Sequence, residues 1–134
     1  MKIVVVSGGF DPIHSGHISY FKSAKRLGEK LIVALNSDAW LIKKKEKFFM
    51  PFEERKIIIE NLSMVDEVID FDDDEFGSAS QALIKIKGFY PKDEIIFCNG
   101  GDRTKDNIPE MQIKDILFEF GVGGEDKKLS LIHI

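Results

Sequence analysis

The sequence has very little cysteine: Cys98 is the only thiol in 134 residues. A single thiol cannot form an internal disulfide or a cysteine-built metal site. Cys98 ends an apolar stretch, Glu94 to Cys98, that has the pattern of a buried strand, so we expect an inert core thiol and not a nucleophile. Without a disulfide framework, a cytoplasmic location is predicted.

Long hydrophobic runs and an excess of basic residues are also absent. No apolar run approaches the roughly 20 residues that a membrane helix needs, so we expect no membrane partner. The opening run, Met1 to Val6, is followed at once by Ser-Gly-Gly and lacks the flanks of a signal peptide. Lysine and arginine number 19 against 23 acidic residues, and the net charge of -4 disfavours nucleic acid as the main partner.

What is present is the composition of an ordinary globular protein, with 43% hydrophobic and 31% charged residues. The length predicts a single domain over 1–134. Five short apolar segments have the pattern of strands: Lys2 to Ser7, Lys30 to Asn36, Glu67 to Phe71, Glu94 to Cys98 and Ile116 to Phe120. The first two are almost continuous runs of Val, Ile and Leu, which is typical of strands covered on both faces of a parallel sheet.

Helical patterns separate these strands. They are Ile18 to Leu27, Phe52 to Leu62, Ser80 to Lys87 and a weaker one after Pro109. The alternation predicts an α/β fold: a single Rossmann-like, doubly wound domain with a five-stranded parallel sheet. The lysine-rich stretch from Asn36 to Lys47 is predicted to be a connector, and the acidic run from Asp70 to Glu75 a solvated loop.

In such sheets ligands bind at the carboxyl ends of the strands, where the strand order reverses. This rule singles out three stretches: Ser7 to His17, Asn36 to Lys47 and Asn99 to Asn107. The first contains Gly8 and Gly9, which allow a backbone to approach a ligand closely. It lacks the Gly-Lys-Ser/Thr of a P-loop, and its glycines do not have the spacing of the dinucleotide fingerprint.

Two of the three histidines, His14 and His17, lie in the first stretch. Their spacing places both imidazoles on one side of the first turn of a helix that begins near Ser15, and Gly16 keeps that side open. A helix start attracts anions, so the pair is a candidate phosphate site. The residues alone leave two alternatives: one histidine caps the helix while the other packs, or the pair belongs to a metal site, for which only two ligands are visible.

The stretch from Ser7 to His17 resembles the G-x-F-D-x-x-H-x-G-H signature of the cytidylyltransferase-like nucleotidyltransferases. Further segments are similar to glycerol-3-phosphate cytidylyltransferases and to the nucleotidyltransferase domain of ADP-heptose synthases: Val33 to Asp38 with the lysines after it, Pro51 to Lys56, Val65 to Ile69, and Gly100 to Asp102. The likeness covers about residues 2–120. It implies transfer of CMP from CTP to a polyol or sugar phosphate such as glycerol 3-phosphate, with release of pyrophosphate. The alternatives are an adenylyltransferase that makes an ADP-sugar from ATP, and a catalytically impaired nucleotide-binding module.

The resemblance also implies roles for individual residues. The catalytic set is His14, His17, Lys44 and Arg55. The nucleotide-binding set is Gly8, Gly9, Phe10, Asp11, Gly16, Asp102 and Ser130, with Asp11 also a candidate ligand of Mg²⁺. Asp38, which follows the second strand at the carboxyl edge, and Lys45 form the substrate-binding set. Alignment with the glycerol-phosphate enzymes favours Lys44, and alignment with the heptose enzymes favours Lys45. The expected cofactor is Mg²⁺ carried by the triphosphate. The expected assembly is a homodimer, with which the apolar residues Trp40, Leu41, Phe48 and Phe49 are compatible.

Arg55 can also be placed from helical spacing. It shares a helix face with Ile59 and Leu62, which should pack against the sheet. A guanidinium turned toward the protein needs an anionic partner. That partner is either a phosphate at the strand ends or a carboxylate such as Asp38.

The chain departs from the glycerol-3-phosphate enzymes after the fifth strand. Those enzymes carry Arg-Thr-x-Gly-Ile-Ser-Thr-Thr there and open a last helix that binds nucleotide. This chain continues with Gly121 to Ser130, where no arginine occurs and Ser130 alone can stand for the hydroxyl groups. We therefore expect residues 121–134 to form an atypical tail without the C-terminal helix.

Overall fold

The structure, a computed structural model, describes residues 1–100, Glu110 and 116–122. The strands in these residues are β1 (Lys2–Gly8), β2 (Lys30–Leu35), β3 (Glu67–Ile69), β4 (Glu94–Gly100) and β5 (Ile116–Val122). The helices are α1 (Ser15–Lys25), α2 (Asp38–Lys45), α3 (Phe52–Glu60) and α4 (Ser80–Phe89). Each pair of neighbouring strands is parallel, and the strand order is β3-β2-β1-β4-β5, which confirms the predicted five-stranded parallel sheet.

β1 lies in the middle of this sheet. Its residue Val4 pairs with Leu31 of β2 on one side and with Ile96 of β4 on the other. The strand order reverses here, because β2 and β3 extend to one side of β1 while β4 and β5 extend to the other. The connections that leave β1 and β4 therefore diverge at the carboxyl edge, where open α/β sheets bind their ligands.

Both faces of the sheet are covered, as the near-continuous apolar strands predict. Val5 of β1 belongs to a buried cluster that includes Leu83 of α4. The preceding residue, Val4, belongs to a second cluster, with Phe21 of α1 and Ile59 of α3. Because successive side chains of a strand point to opposite faces, the two clusters lie on opposite sides of the sheet, and the doubly wound architecture is confirmed.

The segment after β2 differs from the prediction, because it forms the helix α2 and not a connector. The hydroxyl of Ser37 accepts a hydrogen bond from the backbone N–H of Trp40 at 3.0 Å and caps the helix. Asp38 stands in the first turn and three lysines in the last, which complements the helix dipole at both ends. The lysine run therefore ends a helix.

The acidic run before α4 is more ordered than a solvated loop. The carboxylate of Asp74 accepts hydrogen bonds from the backbone N–H groups of Phe76 at 3.0 Å and Ser78 at 2.8 Å. Burial alone would raise the pKa of Asp74, but the Ser78 hydroxyl and the backbone N–H groups lower it. Asp73 accepts the hydroxyl of Ser37 at 2.6 Å, so this loop is tied to the start of α2.

Smaller differences occur at the ends of other elements. β3 ends at Ile69 and α3 ends at Glu60, both before their predicted ends, and α4 continues through Gly88 to Phe89. The helix expected after Pro109, and the tail 123–134 with its predicted lack of a helix, lie outside the described residues. None of the helices in the described part of the chain is long and apolar enough to cross a membrane.

Candidate active site

A cavity of about 730 Å³ opens at the carboxyl edge, where the strand order reverses. Its size is within the range of small-molecule sites. It is lined by the β1–α1 junction, α2, the loop before α4 and the end of β4. The predicted site residues that line it are Gly8, Gly9, Phe10, Asp11, His14, His17, Lys44 and Lys45. Gly16 is buried in the first turn of α1.

The two histidines of the predicted phosphate site lie face to face. Their ring centroids are 3.9 Å apart and their planes differ by 26°. His14 is the N-cap of α1, and His17 stands in the first turn of that helix. Both line the cavity, so the structure brings the pair together where the sequence predicted it.

Backbone hydrogen bonds orient both imidazoles. The N–H of Gly16 donates to Nδ1 of His14 at 3.0 Å, and the N–H of His14 donates to Nδ1 of His17 at 3.1 Å. These bonds form a capping box built from two histidines. A ring nitrogen that accepts a hydrogen bond carries no proton, so each neutral ring holds its proton on Nε2. The capping alternative and the functional prediction are therefore compatible.

The two loop glycines provide room for protein side chains. A Cβ atom on Gly8 would lie 2.7 Å from the ring of Phe10, and a Cβ atom on Gly9 would lie 2.6 Å from the side chain of Leu41. The buried ring of Phe10 meets the imidazole of His17 edge-on, with centroids 5.0 Å apart. Protein side chains therefore occupy the Cβ positions of both glycines, and at Gly8 that side chain is the ring that packs against His17.

Gly8→Ala should lower the free energy of unfolding by about 1–3 kcal/mol, the usual cost of overpacking a core, because the Phe10 ring occupies the position of the added methyl group. Gly88→Ala is a matched control. A Cβ atom on Gly88 meets nothing within 4 Å, and alanine in a helix should stabilise the protein by about 0.5–1 kcal/mol. Urea denaturation measures both changes. Effects of the same sign would show that Gly8 has no close contact.

Two lysines of the last turn of α2 reach the cavity. The Nζ atom of Lys44 lies 4.7 Å from the ring centroid of Trp40, and the indole N–H of Trp40 donates to the carbonyl of Gly77 at 2.9 Å. Lys45 donates to the carbonyl of Asp11 at 2.7 Å, and its Nζ lies 3.3 Å from the carboxylate of Asp11. Within the described residues, Lys45 is ion-paired and Lys44 is not.

Asp11 ties the segment between α2 and α3 to the β1–α1 loop. Its carboxylate accepts the backbone N–H groups of Phe49 at 2.5 Å and Met50 at 2.7 Å, in addition to its contact with Lys45. Burial alone would raise the pKa of Asp11, but these N–H groups and the Lys45 ammonium lower it.

These contacts bear on the expected Mg²⁺ ligand. The carboxylate of Asp11 is already occupied by protein donors, and the described residues contain no group of three His, Cys, Asp or Glu side chains arranged for a metal. The residues present therefore do not fit a protein-built Mg²⁺ site at Asp11, which corrects that expectation.

Asp11→Asn should destabilise the protein at neutral pH, because the Lys45 ion pair is lost and the two N–H bonds weaken. A carboxyl group whose pKa is lowered by folding stabilises the folded state above its unfolded pKa of about 4, and this stabilisation is lost as the pH falls through the folded value. The difference between wild type and Asp11→Asn should therefore shrink below about pH 4. Unfolding free energies measured from neutral to acidic pH test this; a constant difference would contradict it.

Arg55 lies behind the cavity wall and is fully buried. Its Nε donates to the carbonyl of Met50 at 3.0 Å, and its Nη1 donates to the carbonyls of Gly9 and Asn36, both at 2.8 Å. Its Nη2 donates to the carboxylate of Asp38 at 2.7 Å.

The predicted roles of Arg55 and Asp38 change accordingly. Neither is among the described residues that line the cavity. The anionic partner of Arg55 is the carboxylate of Asp38, one of the two alternatives, and not a phosphate. Arg55 thus joins the β1–α1 loop, the end of β2, α2 and the segment before α3.

Five polar residues that received no role from the sequence also line the cavity: Ser7, Tyr20, Asn36, Asn99 and Glu110. Asn36 follows β2 and Asn99 lies near the end of β4, inside the stretches that the topology rule singled out, and this placement was the available signal. Asp102 and Ser130, by contrast, lie outside the described residues.

Cys98 also borders the cavity, but its thiol is not a nucleophile at neutral pH. Burial, with a smaller contribution from Glu119, raises the pKa of the thiol to about 12. The carbonyl of Cys98 accepts the hydroxyl of Tyr20 at 2.9 Å, which links α1 to β4.

Comparison with known proteins agrees with the geometry. The model of the family described as cytidylyltransferase-like matches residues 5–132, nearly the whole chain. The chain belongs to the cytidylyltransferase-like family. This is a nucleotidyltransferase family.

Curated relatives include the bifunctional protein HldE of Citrobacter koseri, 37% identical over 112 residues, and that of Salmonella arizonae, 36% identical. These matches cover 75% of this chain and 24% of HldE, so the chain spans about a quarter of the length of these relatives. The family match extends into the tail that was expected to be atypical.

Solved structures are similar as well. A lipopolysaccharide core biosynthesis protein from Thermoplasma volcanium superposes with a TM-score of 0.69 and 25% identity, covering 90% of this chain and 95% of that one. The nicotinic acid mononucleotide adenylyltransferase of Plasmodium falciparum, complexed with NaAD, has a TM-score of 0.56 and 18% identity, covering 89% and 73%. The latter likeness concerns the fold alone.

Proposed function

We propose that this cytidylyltransferase-like protein transfers CMP from CTP to a phosphorylated small molecule, a polyol or sugar phosphate such as glycerol 3-phosphate, and releases pyrophosphate. The observation that carries the proposal is the stacked pair of His14 and His17 at the start of α1, in the wall of the cavity. Two oriented N–H donors beside a helix N-terminus suit a group that gains negative charge.

The histidines stabilise the charge that moves during transfer. With Nδ1 of each ring accepting a backbone N–H, Nε2 of each neutral ring carries the hydrogen that would be donated to phosphate oxygens. The hydrogen bonds are set before substrate arrives, so little reorganisation is needed when the charge develops. The partial positive charge at the start of α1 acts in the same direction.

Lys44 and Lys45, in the last turn of α2, supply positive charge to the cavity wall. Lys44 is the better candidate for the leaving pyrophosphate, since no ion pair engages it among the described residues. Lys45 neutralises Asp11 and holds the loop in which the histidines stand.

The reaction is an in-line displacement. An oxygen of the acceptor phosphate attacks the α-phosphorus of the nucleotide, the bond to the bridging oxygen of the β-phosphate breaks, and pyrophosphate leaves with that electron pair. The acceptor phosphate is ionised near neutral pH and needs no general base. The protein contributes position and charge stabilisation.

Mg²⁺ is proposed as a companion of the substrate. The described residues do not build a metal site of their own, so the ion would be held largely by the phosphate oxygens of the triphosphate. No step of the protein's chemistry proposed above depends on it.

The alternative is adenylyl transfer from ATP to a sugar phosphate, the second reaction implied by the resemblance. The 37% identity to HldE favours this alternative, because the likeness to ADP-heptose synthases implies an ADP-sugar as the product. The choice of base rests on residues that the catalytic geometry does not include.

We also propose a homodimer. Trp40 and Leu41 turn inward, but Phe49 next to α2 is 74% exposed and Phe48 is 37% exposed. Sedimentation analysis of wild type and of a Phe48→Ser, Phe49→Ser variant tests this: a dimer that becomes monomeric supports it, and a monomeric wild type contradicts it.

The function itself is tested by pyrophosphate release. Wild-type protein is offered CTP, ATP, GTP and UTP, each with Mg²⁺ and with a panel of phosphorylated polyols, sugars and amino alcohols. CTP with a polyol or sugar phosphate should give release, and ATP with a sugar phosphate should do so under the alternative. Binding of triphosphate without release by any pair would support an impaired binding module.

A further inference from the structure

Asn99, near the end of β4, is a buried amide in the cavity wall with an unusual hydrogen-bond deficit. Its exposure is only 2%. Its Oδ1 has no hydrogen-bond partner among the described residues, whereas its Nδ2 donates to the carbonyl of Glu119 at 3.5 Å. A buried acceptor without a donor is destabilising and uncommon in native proteins, so its retention needs a reason.

The contact with Glu119 determines which atom of the amide is left over. If Oδ1 and Nδ2 were exchanged, Oδ1 would face the carbonyl oxygen of Glu119 and two acceptors would repel each other. Nδ2 therefore stays toward β5, and the atom left without a partner is an acceptor.

The sheet is irregular at the same position. Cys98 pairs with Glu119 and Gly100 pairs with Val122, so Asn99 alone stands opposite two residues of β5. Bulges of this kind occur next to active sites, where they redirect a side chain or end the pairing. The irregularity and the unpaired oxygen coincide at the cavity.

We propose that Asn99 is a specificity-determining residue whose Oδ1 accepts a hydrogen bond from an N–H or O–H group of a bound substrate. This rests on the proposed nucleotidyl transfer. Ionised phosphate groups offer no hydrogen to an acceptor, so the donor belongs to another part of a substrate. Its sources are the exocyclic amino group that cytosine and adenine share and uracil lacks, or a hydroxyl group of the acceptor molecule.

The experiment compares Asn99→Leu, which removes the acceptor at similar size, with wild type. Asn61→Leu is the control, because Asn61 is exposed at the end of α3 and its side chain donates to the carbonyl of Ile57 in that helix. For each variant, thermal melting without ligand, equilibrium dialysis with CTP and with UTP, and the KM of the best acceptor phosphate are measured.

Asn99→Leu should melt close to the wild-type temperature, because the substitution removes both the unpartnered acceptor and the long 3.5 Å hydrogen bond from Nδ2 to Glu119. Its affinity for one substrate should fall about tenfold, the scale of one hydrogen bond, while Asn61→Leu should bind as wild type does. A loss confined to CTP, with UTP unchanged, identifies the amino group of the base. A raised KM for the acceptor with intact CTP binding identifies the hydroxyl group.

One result overturns the inference. Unchanged binding and KM in Asn99→Leu, at a melting temperature close to that of wild type, would mean that no substrate contacts Oδ1. Failure of the proposed function is a separate result, since it appears as wild-type protein that releases no pyrophosphate, while the dialysis arm still compares the variants.

Discussion

His17→Ala is expected to lower the kcat of pyrophosphate release by about 100-fold or more, the scale of one lost preorganised donor in an active site. The substitution removes the Nε2–H donor from the cavity wall. It also removes Nδ1, the acceptor of the His14 N–H, and so weakens the capping box by about 1 kcal/mol. The fold should survive, because His17 contributes one edge-on ring contact with Phe10 and is not itself a member of the buried apolar clusters of the sheet.

His17→Gln separates the two effects. Glutamine at this position of a capping box accepts the N-cap N–H, so this variant should recover the stability lost in His17→Ala. Its activity should stay far below wild type, because the amide does not place a donor where Nε2 lies. Steady-state pyrophosphate release and urea denaturation measure the two quantities. Near-normal turnover in His17→Ala would remove the catalytic role.

Arg55→Met is expected to lower the free energy of unfolding by about 3 kcal/mol or more, as is typical when one partner of a buried ion pair is removed. The change leaves the carboxylate of Asp38 and the carbonyls of Gly9 and Asn36 without their donor. These groups belong to the segments around the cavity, so nucleotide binding should fall together with stability.

Two control variants make this result specific. Arg26→Met changes an exposed arginine after α1 and should stay within about 0.5 kcal/mol of wild type. Arg55→Lys keeps the charge for Asp38 but lacks the planar fork of donors, and it should lie between wild type and Arg55→Met. Guanidinium denaturation measures all of them. A stable Arg55→Met protein with weakened nucleotide binding would instead indicate a direct contact between Arg55 and phosphate.

The sheet was predictable from the sequence because apolar runs of strand length alternate with helical spacing, and this pattern depends on neighbouring residues. The helix α2 was missed although its signals were present: Ser37 at the N-cap, Asp38 in the first turn and lysines in the last. The lysine run predicts a connector only when its charge is considered without the cap that precedes it.

The parts of the site that could not be predicted depend on distant segments. Helical spacing buries Arg55 correctly, but only the fold decides that Asp38, and not a phosphate, is its partner. The sequence alone allows the carboxylate of Asp11 to be a metal ligand. In the structure this carboxylate accepts two backbone N–H groups from the segment before α3. The unpaired oxygen of Asn99 is visible only once β4 and β5 lie side by side.

The central claim, that His14 and His17 donate from Nε2 to the phosphates of a nucleotide, is tested most directly by nitrogen NMR of histidine-labelled protein titrated with CTP and Mg²⁺. Without ligand, both rings should show an unprotonated Nδ1 and a protonated Nε2. With nucleotide, the Nε2 resonances of both residues should shift as the sites fill, while Nδ1 keeps its character. Saturation with nucleotide, measured by dialysis, that moves neither Nε2 resonance would contradict the account.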